Sequence, residues 1–267
     1  MNKYLIVNAD DYGLCKEISS GILKAYHEGI VTSTSVVSNG RFFQEGLALL
    51  KDSGIPTGIH LTFVGGEKPL IKPVEGLVDN QGYFHQDYSR VISNIITNHY
   101  DKDGLKKELL SQATKLFDEG LTISHIDAHQ HLHLLPQIRP MLFHIADRFN
   151  IKWIRVPQSH RWTIQAIGLN ILGVWLKYQL RQKIYRHPDT CLGFDNSGCT
   201  NQNILSQTIS RCRPGITEII LHPGFDASKY YNWNFQWSEE LDAAVSPEIM
   251  ALIHRNGIIL TNYKDIK

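Results

Sequence analysis

The sequence predicts an α/β protein whose parallel strands close, or nearly close, into an irregular single-domain barrel of about seven strands. Three observations lead there. Short apolar runs of strand length alternate with helical patterns along the chain, and nearly every run is followed by a helix. Ionisable residues gather at the ends of these runs: Asp10 and Asp11, His60, Asp127 and His129, Arg155, His222. No second period or linker divides residues 1–267, a length usual for one barrel domain. A doubly wound open sheet is the alternative, and it would collect the same residues along one edge.

Residues 4–7 (Tyr-Leu-Ile-Val) form the first strand, apolar throughout as a buried parallel strand is, and run into Asn8-Ala-Asp-Asp-Tyr-Gly13. Two adjacent carboxylates at a strand end are costly unless something positive lies between them, although that stretch taken alone reads as a capped turn. A helix over 17–28 closes at Gly29, and the β-branched run 31–37 is the second strand. After a helix over 42–51, residues 57–62 (Thr-Gly-Ile-His-Leu-Thr) make the third strand, with His60 near its end. A lone strand histidine is ordinarily a satisfied core residue, so only its neighbours argue for more. Residues 63–100, with Gly65, Gly66, Pro69, Pro73, Gly76 and Gly82, read as a loop excursion. The helix over 103–121 spaces Leu105, Leu109, Ala113, Leu116 and Phe117 at three and four residues.

Residues 124–136 (Ser-His-Ile-Asp-Ala-His-Gln-His-Leu-His-Leu-Leu-Pro) hold four of the thirteen histidines. Extended, with period two, this stretch puts His125, Asp127, His129, His131 and His133 on one face and Ile126, Ala128, Leu132 and Leu134 on the other. A helix would turn His131 away from His129 and His133. The expectation is a strand running into a histidine-rich loop, then a helix over 137–149 with Pro136 at its start. The fifth strand, 152–157, carries Arg155, which must face the mouth or pair with a carboxylate. Residues 162–186 are apolar and basic together, as in a barrel helix with a solvated basic end or a helix lying on a membrane. A turn-rich stretch (193–200), a helix (201–212) and a strand (217–221) lead into His222-Pro-Gly224. An aromatic-rich loop (225–237), a helix (248–255) and a closing strand (258–262) complete the chain.

A net charge of +1, with acids and bases well mixed, gives no global field to recruit nucleic acid. Cys15, Cys191, Cys199 and Cys212 form no Cys-x-x-Cys pair, against a zinc ribbon or thioredoxin motif. The chain starts straight into a strand with no signal-like segment, and the apolar stretch 166–176 is too short to span a bilayer. The expectation is a cytoplasmic protein. Nucleotide-binding glycine motifs and the Gly-x-Ser-x-Gly elbow are absent from the sequence.

One carboxylate and two histidines from different strands can hold a divalent ion and leave positions free on it. Asp11, His60 and His129 are the candidate ligands, with His125, His131 and His133 as a replacement for His129, as groups that orient the ligands, or as caps. Asp10 would then stand close enough to act as a base, and His222 could protonate a departing amine from another strand end.

These stretches resemble the YdjC-like carbohydrate deacetylases. Asn8-Ala-Asp-Asp-Tyr-Gly13, Gly29-Ile-Val-Thr-Ser-Thr-Ser35, Gly58-Ile-His-Leu61, Asp127-Ala-His-Gln-His-Leu-His133 and His222-Pro-Gly224 follow in that family's order over nearly the whole chain. The resemblance implies a TIM-like barrel, one divalent ion, usually magnesium with zinc, manganese or cobalt as options, and removal of acetyl from an N-acetylated sugar. It also implies Asp11, His60 and His129 as metal ligands, Asp10 as base and His222 as acid. Gln130 stands where the family often has a third histidine. Val78-Asp-Asn-Gln-Gly-Tyr-Phe84 and Leu192-Gly-Phe-Asp-Asn-Ser-Gly198 look closer to the hopanoid-biosynthesis branch, whose likeness implies a glucosaminyl lipid and a peripheral contact of 162–186 with membrane, so that a chitooligosaccharide and a glycolipid both stand as the expected substrate. A non-catalytic barrel that binds metal and sugar is the alternative, and the presence of both aspartates and His222 argues against it. Homo-oligomerisation is compatible with either reading.

Overall fold

In the computed structural model, which describes residues 2–266, the apolar runs become the strands of one parallel sheet. The elements are β1 (Lys3–Tyr12), α1 (Lys16–Glu28), β2 (Ser33–Val36), α2 (Phe43–Ser53), β3 (Thr57–Leu61), α3 (Tyr88–Ile96), α4 (Lys102–Asp118), β4 (Ile123–Ala128), α5 (Arg139–Arg148) and β5 (Trp153–Ile154). They continue as α6 (Ile164–Gln182), β6 (Thr190–Leu192), α7 (Gln202–Ser210), β7 (Gly215–Leu221), α8 (Trp237–Ala244), α9 (Pro247–Arg255) and β8 (Ile258–Thr261).

The strand order is β5-β4-β3-β2-β1-β7-β6, with β8 on β1. One edge of β1 serves two neighbours: Lys3 to Ile6 pair with β8, and Asn8 to Tyr12 with β2. The two outer strands curl towards each other, since Arg186, just ahead of β6, exchanges backbone hydrogen bonds with Ile154 and Lys152 at 2.9 and 2.8 Å. A curled, nearly closed parallel sheet wrapped by helices is the α/β barrel expected, and its strands, apart from β8, are largely buried on both faces.

Three differences from the sequence reading have physical reasons. Eight strands, not seven, are present among the described residues. The extra one, β6, has three residues, too few to show a period, and exists by pairing with β7. The loop excursion 63–100 contains α3, capped by the Asp87 side chain, which accepts from Ser89 N at 2.8 Å. Finally, Trp237 opens α8 rather than ending a loop.

Close backbone approach positions the mouth. Any side chain at Gly21 of α1 would place its Cβ 2.4 Å from the Cα of Gly224, so two glycines let α1 press on the turn after β7 that holds His222. A Cβ at Gly58 would lie 2.3 Å from the imidazole of His125, so that ring occupies the space a β3 side chain would fill.

Candidate metal and catalytic site

In a regular strand Asp10 and Asp11 would point to opposite faces. Here Asp11 adopts φ 79°, a left-handed conformation that strains a non-glycine residue by about 1–3 kcal/mol, and the β1–β2 register shifts across the same residues. Both carboxylates thereby come close to His60.

The pairing of β3 with β4 sets His60 beside Asp127. His60 Nδ1 donates to Asp127 Oδ1 at 2.5 Å, which leaves Nε2 facing Asp11 Oδ1 at 3.3 Å. His129 Nδ1 lies 3.0 Å from the same Asp11 oxygen. These ligand atoms of Asp11, His60 and His129 all lie within 4.8 Å of one another, and all three residues are buried. The other Asp11 oxygen, Oδ2, is buried with no hydrogen-bond partner among the described residues.

Asp10, His60 and Asp127 form a second group of the same compactness. Those carboxylates are already committed, however. Arg155 Nη1 and Nη2 donate to Asp10 Oδ2 and Oδ1 at 2.6 and 2.7 Å, and Asn8 Nδ2 donates to Oδ1 at 2.8 Å. Asp127 Oδ2 accepts from Ser35 Oγ at 2.7 Å and lies 3.0 Å from Arg155 Nη1, while Arg155 Nε donates to Glu218 at 2.8 Å. Only the first group leaves a carboxylate oxygen unsatisfied.

Charge supports the same assignment. Burial opposes ionisation of Asp11, yet the imidazoles of His129 and His60 hold its carboxyl well below the usual carboxylate range. Burial likewise opposes a charged His60, but Asp127, Asp10 and Asp11 outweigh it and push the imidazole up to about 10. Asp10, Asp11, Asp127 and Glu218 face a single guanidinium, so the cluster carries an excess of formal negative charge. A divalent cation in place of the His60 proton would reduce it. The residues therefore fit such an ion: Asp11, His60 and His129 could hold it, and Asp127 would fix the His60 ring, as carboxylates behind ligand histidines commonly do.

The other histidines separate by position. The period-two pattern stops at Ala128, where the chain leaves β4 into a 3₁₀ turn (His129–Leu134) with Gln130 and His131 left-handed. The expectation that five alternating residues share one strand face is corrected: His129 reaches Asp11 from the turn. His125 lies within β4, stacked on Tyr263 at 4.1 Å, and its Nε2 is 3.0 Å from Ser35 Oγ. With Ser35 donating to Asp127, His125 supplies a hydrogen to Ser35, so it supports Asp127 at one remove. His133 Nε2 donates to the Arg155 carbonyl at 3.0 Å. His131 faces a mouth cavity of about 260 Å³, which Asp10, His60, His129, Phe194 and His222 also line.

Burial pushes the His125 and His133 imidazoles down to about 3 and about 4. Their folded values lie below the unfolded value of about 6.5, so the unfolded chain binds more protons in acid. Their stabilisation is complete above about pH 6.5 and falls, by up to about 1.4 kcal/mol per pH unit for each ring, as pH drops towards their folded values. Denaturant titrations at about pH 6.5 and about pH 5 are expected to show this loss. Equal stability at the two values would mean that the rings titrate normally.

His222 directly follows β7, and its backbone N–H donates to Glu240 of α8 at 2.5 Å, while the other Glu240 oxygen accepts from Thr200 N at 2.9 Å. The ring meets Phe235 edge-on at 5.2 Å, and Nδ1 has no partner among the described residues. Trp237 is buried and packs under the aromatic loop, whereas Trp233 is half-buried, 5.3 Å from the His129 ring. Asn8, Ser35 and Phe194 lie in the stretches that carry the family resemblance, but their roles, like that of Glu240, depend on which strands and loops become neighbours.

Residues 4–255 match the family described as YdjC-like protein. A carbohydrate deacetylase of Thermoanaerobacter pseudethanolicus is 31% identical over 273 residues, covering 99% of this chain and 100% of that one. One from Brevibacillus brevis is 33% identical over 269 residues, covering 98% and 99%. Among solved structures, an Enterococcus faecalis protein provisionally assigned to cellobiose-phosphate cleavage superposes with a TM-score of 0.81 at 24% identity, covering 99% of this chain and 98% of that one. A Streptomyces lividans family 4 carbohydrate esterase, solved with acetate, superposes at 0.50 with 10% identity, covering 99% and 95%. These two likenesses concern the fold. With the match running from β1 through α9 and relatives of equal length aligned end to end, this chain belongs to the YdjC-like family.

Proposed function

We propose that the protein is a metal-dependent hydrolase that removes the acetyl group from an N-acetylated amino sugar, releasing acetate and a free amine. The observation that carries this reading is the division of labour at adjacent residues. Asp11 faces two imidazoles with an oxygen to spare, while Asp10, clamped by Arg155, lines the same cavity as His222. The names of the full-length relatives, carbohydrate deacetylases, support the substrate class.

A divalent ion bound by Asp11, His60 and His129 would supply an acidified water and polarise the amide carbonyl. Asp10 accepts the proton from the attacking water, and its two hydrogen bonds from Arg155 keep the carboxylate aimed. His222 donates a proton to the nitrogen as the C–N bond breaks. Phe194 and Phe235 offer apolar faces to the pyranose ring. Magnesium is the ion that the family resemblance implies, but two imidazoles beside one carboxylate suit zinc, manganese or cobalt at least as well. The cytoplasm is the compartment we propose, where the four free thiols would stay reduced.

Acetate release from N-acetylglucosamine, diacetylchitobiose, its phosphorylated form and an N-acetylglucosaminyl lipid, each with several divalent ions, tests the reading. Release from at least one, with the free amine formed in equal amount, is expected; no release from any of them with any ion contradicts it. Phe194→Ala is expected to raise KM for the active sugar by about 2–10-fold, the usual worth of one aromatic contact, with little change in kcat. An equal loss on a small acetamide would mean that Phe194 only packs the mouth.

A further inference from the structure

The helix α6 is apolar on two opposite sides. Ala166, Gly173, Leu176 and Leu180 are buried against the barrel. Ile164, Ile167, Ile171, Val174, Trp175 and Tyr178 remain exposed, from 45% for Trp175 to 87% for Ile164. At 100° per residue these six fall within an arc of about 100° on the side away from the barrel. Trp162, 94% exposed, extends the stripe ahead of the helix. An amphipathic surface helix has one such face, so a second apolar stripe calls for something to cover it.

The surrounding charge says what covers it. Between Asp147 and Asp189 the chain has no carboxylate, although it contains eight lysines and arginines. Arg181 borders the stripe, and Arg161, Lys183 and Arg186 flank its two ends, all exposed. A second copy of the chain would bring this surface against itself, cation facing cation. An anionic lipid surface satisfies both features: acyl chains take the apolar stripe, headgroups take the cations, and two tryptophans and a tyrosine suit the interfacial zone. Among the described residues no helix is long and apolar enough to cross a membrane, so α6 would lie in the interface rather than span it.

We propose that the outer face of α6 binds the surface of an anionic bilayer. The stripe starts at the catalytic rim. His160 N donates to Asp195 at 2.7 Å, Ser159 and Arg161 also bond to Asp195, and the neighbouring Phe194 lines the cavity. Docking would therefore open the cavity beside the membrane, which suits an amino sugar carried on a lipid; this last step rests on the deacetylase reading, whereas the docking does not.

Sedimentation of the full chain with vesicles tests the docking without any turnover. The parent is expected to bind vesicles of equal parts phosphatidylcholine and phosphatidylglycerol and to bind phosphatidylcholine alone weakly. Ile171→Glu combined with Val174→Glu should lower binding by about tenfold or more. Arg181→Glu with Lys183→Glu should remove the preference for anionic vesicles. Both variants should keep the parent circular-dichroism melt and its acetate release from a soluble substrate. Brominated lipids provide a measurement on the unaltered chain, in which Trp162 and Trp175 fluorescence should be quenched. No binding to anionic vesicles at low salt, no quenching, or equal binding by all variants overturns the proposal. So does a dimer in size exclusion that Ile171→Glu dissociates, which would assign the face to a second copy.

Discussion

His60→Ala is expected to leave the protein without its divalent ion after dialysis and without measurable acetate release, and Asp11→Asn to do the same. His60 is the ring on which Asp127 and Asp11 converge, so its removal takes away one of the three proposed ligands and one partner from each of the two carboxylates. Asp10→Asn separates the roles. Its amide oxygen can still accept from Arg155 Nη2 and Asn8, the hydrogen bond from Arg155 Nη1 is lost, and the amide cannot take up a proton, so metal should stay while kcat falls by about 10²–10⁴-fold. Arg155 keeps Asp127 and Glu218 as partners in that variant, which limits the loss of stability, and a thermal melt checks it. Metal analysis beside a rate measurement decides the matter. If Asp10→Asn loses metal, or if both aspartate variants keep full activity, the assignment fails.

His222→Ala is expected to lower kcat by about 10²–10⁴-fold with metal content and KM close to those of the parent. Its imidazole lines the cavity with Asp10 yet lies outside the group of Asp11, His60 and His129, as a proton donor to the leaving nitrogen should. The loss should shrink on an N-acetyl substrate whose departing nitrogen is weakly basic, because that group leaves with little help. Glu240→Gln is a milder probe: Glu240 accepts hydrogen bonds from the His222 and Thr200 backbone amides, and the change should reduce kcat less than removal of the ring. Loss of metal from His222→Ala would make the residue a ligand or its support, and unchanged turnover would send the search for the acid to His131, which faces the same cavity.

Much of the barrel was legible because buried parallel strands announce themselves as apolar runs, and polar residues at their ends had nowhere to go but the mouth. His60 and Asp127 could both be placed at the mouth because each lies near a strand end, and Arg155 could be expected to face the mouth or meet a carboxylate because a guanidinium in a buried strand demands one or the other. Which carboxylates it meets was not legible, because Asp10, Asp127 and Glu218 come from β1, β4 and β7 and converge only when the sheet curls. The histidine stretch misled for a local reason. Alternation in sequence continues past Ala128, but the backbone does not: Gln130 and His131 turn left-handed, so His129 swings to the site, His131 to the cavity and His133 to the Arg155 carbonyl. Likewise α8 gave little sign of bearing on His222, because Glu240 acts through a backbone amide that any residue would offer.

We propose that one divalent ion at Asp11, His60 and His129 makes the cavity a deacetylase. Titration of metal-stripped protein with a divalent ion, following acetate release from an N-acetylated amino sugar, tests this most directly. Activity is expected to be absent in the stripped protein, to rise in proportion to added ion and to level off at one equivalent per chain. Activity that survives stripping and chelator unchanged, or that needs two equivalents, would contradict it.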